Sequence, residues 1–144
     1  MIVTDKTRIM AIDPGKDCGF ALNIPHEAFP QAFQITGTHD QFLQIINDYH
    51  PEVIVYEKWK HTHRDGTNYT AIEFIGLIKW YAERRDVILV PQTNSYGKAY
   101  FDNNKLKKLK LFIPGKDHED AMDALRHLLQ FMMQHKLFDL RLLK

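Results

Sequence analysis

Ile9-Met10-Ala11-Ile12 is an unbroken run of apolar residues, closed by the turn signal Asp13-Pro14-Gly15. An alternating strand can leave one face in water, whereas an unbroken run has to be covered on both. Arg8 to Asp13 is therefore expected as a strand in the middle of a sheet. Cys18 to Ile24 reads as the return strand of a hairpin. Phe29 to Thr36 reads as a third strand, with Phe33 and Ile35 alternating against polar residues, before Gly37 and Thr38 break the pattern. Phe42, Leu43, Ile45 and Ile46 share a helical face over His39 to Tyr49, which Pro51 ends. Val53 to Tyr56 is a second short apolar run, finishing at Glu57.

The polar stretch 58–68 contains Asp65-Gly66 and is read as a loop. Asn68 to Arg85 is read as an amphipathic helix lined by Ile72, Ile75, Leu77, Ile78 and Tyr81. Val87 to Val90 is another strand, stopped by Pro91. Positions 92–116 are polar, with short helical pieces expected near 94–101 and 104–109. From Asp117 to about Gln134 the pattern is most clearly helical. Acidic residues crowd its first turn, where they complement the helix dipole, and Met122, Leu125, Leu129 and Met132 recur as a stripe. Three strands, then helix, strand, helix, strand and helix make an α/β domain with a mixed central sheet flanked by helices.

The 144 residues suit one domain, spanning 1–144, with enough chain to bury a core. An apolar fraction of 44% beside 26% charged residues is that of a globular rather than a disordered chain. One cysteine, Cys18, excludes an internal disulfide framework. Asp5, Lys6 and Arg8 interrupt any leader, and no apolar run approaches the roughly 18 residues of a membrane helix. A soluble, cytoplasmic protein with no membrane partner is expected. The net charge is only +1, but it is unevenly spread. Between positions 94 and 116, six lysines (98, 105, 107, 108, 110 and 116) face only Asp102. Lys58, Lys60 and Arg64, with two histidines, follow Glu57. Such segments either form solvated faces or hold phosphates.

Four acidic residues stand where chemistry can use them. Asp13 and Glu57 each end an apolar strand, and Asp120 and Asp123, three apart on a helix, project from one face. Each alone has a plainer role: Asp13 as a turn former, Glu57 as an exposed strand end, Asp120 as a dipole partner. Together they can gather divalent cations, since magnesium prefers hard oxygen ligands and converging carboxylates repel unless a cation neutralises them. His118 and His127 form no His-x-x-x-His pair and Cys18 has no thiol companion, which leaves zinc little support. For His127, one turn beyond Asp123, helix packing or support of a ligand is favoured over direct ligation.

Ile12-Asp13-Pro14-Gly15 followed by Gly19-Phe20-Ala21 resembles the opening strand-turn-strand of RuvC-type Holliday junction resolvases. Val55-Tyr56-Glu57 resembles their second acidic strand end. The run from His118 to His127 resembles their C-terminal helix motif, particularly in the small RuvC-like proteins of bacteriophages. The resemblance covers about 8–130. It implies an RNase H-like fold and a structure-selective endonuclease cutting branched DNA, with Asp13, Glu57, Asp120 and Asp123 as catalytic ligands of two magnesium or manganese ions. It also implies a homodimer and, for a phage-encoded chain, the host cytoplasm.

DNA-binding candidates are Trp59, Lys60, Arg64, Lys98, Lys105, Lys107 and Lys108. Trp59, between two lysines, can stack on an unpaired base or pack against the helix from Asn68 to Arg85. Lys98 is the candidate for the basic residue that assists catalysis in the family, although 91–114 lacks the glycine-spaced pattern of cellular RuvC. The tail after His135 has no counterpart in the family. Three rival readings are an RNase H-like nuclease acting on RNA–DNA hybrids, flaps or forks, a non-catalytic DNA-binding module, and an actin-like ATPase. The ATPase shares an Asp-Pro-Gly phosphate loop but needs far more chain.

Overall fold

A computed structural model describes residues 2–58, 69–93 and 100–137. Five strands form one sheet: β1 (Ile9–Asp13), β2 (Asp17–Asn23), β3 (Gln31–Thr36), β4 (Val53–Glu57) and β5 (Ile88–Gln92), in the spatial order β3-β2-β1-β4-β5. The β3, β2 and β1 strands are antiparallel neighbours, while β4 and β5 run parallel to β1. The mixed sheet expected from the element order is present, with β1 at its centre.

The unbroken runs in β1 and β4 are covered on both faces. Ile9, Ala11, Val53 and Val55 point to one core, and Met10, Ile12, Ile54 and Tyr56 to the other. The second core is roofed by α1 (His39–Tyr49) and α2 (Tyr69–Arg85). Thr38 caps α1 in a capping box with Gln41, and His50 ends it in the left-handed conformation. The first core is roofed by α4 (Glu119–Gln134) and by the short helix α3 (Asn103–Lys108). One 3-10 turn, Lys116–His118, leads into α4, so the long helix begins two residues later than the acidic run at Asp117 suggests.

Three other expectations need correction. Phe29 is exposed and lies outside β3, because Pro30 precedes the first paired residue. Pro91 does not stop the last strand: β5 continues to Gln92, and as an edge strand it tolerates the missing N–H. On α2 the buried residues are Ala71, Phe74, Ile75, Ile78, Tyr81 and Ala82, and Ile72 faces outward. Phe74 thus belongs to the core, whereas Trp80 is exposed beneath the Arg84 guanidinium. The helical piece near 94–101 lies mostly outside the described residues, and the one near 104–109 is α3.

What positions α4 is the row Asp13, Gly19, Gln34, three residues paired across β1, β2 and β3. A Cβ on Gly19 would stand 1.9 Å from the Asp120 carbonyl oxygen and 2.9 Å from the Ala121 nitrogen. The first turn of α4 therefore rests directly on the β2 backbone. Gly19→Ala should force the helix off the sheet and cost roughly 1–3 kcal/mol, the usual penalty of overpacking. Urea unfolding measures this, and an unchanged midpoint would contradict the seating.

Candidate metal centre

Asp13 ends β1, and strand alternation from Ile9 and Ala11 puts its side chain on the α4 side of the sheet. Asp120 and Asp123 lie in the first turns of α4, which crosses β2 and β1. One carboxylate oxygen from each of Asp13, Asp120 and Asp123 comes within 4.8 Å of the others, and all three side chains are half-buried. Burial raises the Asp120 pKa above the ordinary carboxylate range. The charges of Asp123, Asp17 and Glu119 push the same way, while a hydrogen bond with Asp13 pulls it back. An all-oxygen set under mutual repulsion fits a hard divalent cation.

Glu57 stands at the end of β4, alongside β1, on the same sheet face as Val53 and Val55. It is not one of the three converging acids. Its Oε2 lies 3.1 Å from Nε2 of His127, which is wholly buried on α4. Nδ1 of His127 lies 2.7 Å from Oε1 of Gln92, paired with Glu57 across β4 and β5. His127 thus joins the ends of β4 and β5 through Glu57 and Gln92.

Two residues that the sequence reading passed over shape the site. Oε1 of Gln34 accepts hydrogen bonds from the backbone N–H groups of Asp120 (3.0 Å) and Ala121 (3.1 Å). A side chain from β3 thus caps α4, whose preceding residue His118 supplies no side-chain cap. Arg126 donates to Asp123 at 2.8 Å, to the Phe101 carbonyl at 2.8 Å and to Asn103, tying the acid to the segment before α3. A cleft of about 480 Å³ opens beside Asp123, with Asn103, Phe112, Lys116 and Arg126 among its walls.

Of the expected DNA-binding residues, Trp59, Lys60, Arg64 and Lys98 lie outside the described residues. Lys107 and Lys108 are exposed on α3. The Lys105 ammonium donates to the Tyr100 carbonyl at 2.6 Å and sits 3.7 Å over its ring, so it is committed locally. Cys18 belongs to the opposite core, where burial, reinforced by the charge of Asp13, pushes its thiol pKa up. No helix among the described residues is long and apolar enough to cross a membrane.

The chain matches no protein-family model and no curated protein sequence. Solved structures do match. Thermus thermophilus RuvC in complex with Holliday junction substrate superposes with a TM-score of 0.63 at 15% identity, covering 89% of this chain and 96% of RuvC. A second Thermus thermophilus RuvC structure gives 0.61 at 14% identity, with coverage of 90% and 98%. The yeast mitochondrial Holliday junction resolvase gives 0.53 at 11% identity, with coverage of 95% and 83%. The chain has the RNase H-like fold, in the arrangement of the RuvC structures.

The raised Asp120 pKa carries a sign that stability measurements can read. An acid with a raised folded-state pKa stabilises the fold fully below the unfolded carboxylate value, about 4, and loses that contribution as pH rises through the folded value. At pH 7 without divalent ions, Asp120→Asn should therefore be more stable than the wild type. The gap should close on acidification below about pH 4. Denaturant titrations at the two pH values test this, and a variant less stable at pH 7 would contradict it.

Proposed function

We propose that the chain is a divalent-metal-dependent endonuclease that cuts branched DNA, with four-way junctions as its substrate. The observation that carries this reading is the convergence of Asp13, Asp120 and Asp123 within 4.8 Å, at the motif positions that resemble the RuvC pattern. The fold shared with RuvC and with the yeast mitochondrial resolvase supports the same class.

Phosphodiester hydrolysis needs an activated water and a stabilised leaving oxygen, and a pair of magnesium or manganese ions supplies both when bound. Asp13, Asp120 and Asp123 would hold them, joined by the Glu57 oxygen not turned to His127. The protein's own part is positioning. Gln34 and Gly19 hold the first turn of α4 against the sheet, and Arg126 restrains Asp123. Lys116 at the cleft and the exposed Lys107 and Lys108 offer phosphate contacts that give affinity with little sequence information. A two-fold junction cut on both strands calls for two copies of the site, hence a homodimer.

Asp123→Asn keeps the acceptor for Arg126 and removes the charge. With magnesium, its cleavage of a synthetic junction should fall by more than the roughly 10–100-fold that loss of a ligand's supporting partner costs. Junction binding should persist, because the lysines are untouched. Undiminished cutting would defeat the assignment. Equal cleavage of junction, flap, duplex and RNA–DNA hybrid would defeat the choice of substrate.

A further inference from the structure

Asp13, Asp120 and Asp123 form a compact group, but Glu57 is held apart from it by a contact of its own. That contact is with His127, wholly buried one helical turn beyond Asp123 and about 6 Å further along α4. A buried imidazole on the inner face of a helix needs partners for both nitrogens. Here Nε2 meets Glu57 at 3.1 Å and Nδ1 meets Gln92 at 2.7 Å.

Gln92 is itself 5% exposed, and its amide nitrogen is buried without a partner among the described residues. Turning that amide by 180° places the nitrogen on Nδ1. The chain of donors is then consistent: the Gln92 N–H donates to Nδ1, and the Nε2–H donates to the Glu57 carboxylate. The ring is clamped between a strand that carries no acid of the site and the one acid that stands outside the group of three.

We infer that His127 is a positioning residue for Glu57: it claims one carboxylate oxygen and so presents the other, singly, to the second of two divalent ions. This rests on the metal-dependent reading above. It divides the site into two unequal halves. The first ion depends on Asp13, Asp120 and Asp123, whereas the contact of His127 is with Glu57. The second depends on a glutamate whose free side chain would otherwise swing between rotamers, and the cost of ordering it has been met in the folded chain.

The test is stepwise Mn2+ binding to the full chain, followed by calorimetry and by the electron paramagnetic resonance of free Mn2+. The wild type should take up two ions. His127→Leu fills the space without a donor and should keep the first ion while weakening the second by about 10–100-fold. His127→Gln, which returns an N–H toward Glu57, should recover most of that loss. If His127→Leu does not fold, Gln92→Leu serves instead, and should weaken the second ion by about 10-fold. Both ions bound as in the wild type, both weakened equally, or a wild type that binds a single ion would each overturn the inference while leaving a metal-dependent nuclease standing. A wild type that binds no Mn2+ and cuts no junction overturns both.

Discussion

The site depends on how closely a helix can approach a sheet. Where β2 passes under the first turn of α4 there is no room for even a methyl group, and Gly19 is the residue that leaves that space open. The approach places the α4 N-terminus over the row that begins with Asp13, so acids 107 and 110 positions apart in the chain become neighbours. Buried helix ends need partners for their N–H groups. Gln34, at the far end of the same row, supplies one oxygen to two of them. A backbone contact and a cross-sheet cap thus set the position of Asp120 before any cation is considered.

The cluster works against the stability of the fold that builds it. Three half-buried carboxylates stand within 4.8 Å of one another, and the Asp120 pKa is raised by burial first and by the charge of Asp123 after it. The helix is kept in place by apolar burial: Ala121, Met122, Ala124, Leu125, Leu128, Leu129 and Phe131 all pack on its inner side. Burying a Leu- or Phe-sized side chain contributes roughly 1.5–3 kcal/mol, so the stripe readily offsets a repulsion confined to one end of the helix. The acids stand at the start of the helix and the hydrophobes along its whole inner face.

Much of the architecture was legible in the sequence because it follows from local rules. Unbroken apolar runs marked β1 and β4 as interior strands, and the 3.6-residue stripe marked α4. Asp13, Asp120 and Asp123 were legible through their placement at the strand end and on the helix face. What escaped was non-local. Gln34 looked like the polar partner in an alternating strand, and nothing in its surroundings showed that it caps a helix 86 residues away. Gln92 followed a proline that seemed to end the strand, although an edge position makes that proline harmless. Arg126 pairs with Asp123 at the local i,i+3 spacing, but its contacts with the Phe101 carbonyl and Asn103 appear only once α3 and the segment before it are in place. Local patterning reports which face a residue is on; it does not report what comes to meet it.

In the function proposed above, the seating of α4 on β2 brings Asp13, Asp120 and Asp123 together as a cation site. A crystal soaked in manganese, with anomalous scattering recorded at the manganese edge, addresses it directly. A peak in ligand contact with Asp13, Asp120 and Asp123 is expected. Full-occupancy manganese elsewhere on the surface, with no peak among those three carboxylates, would contradict it.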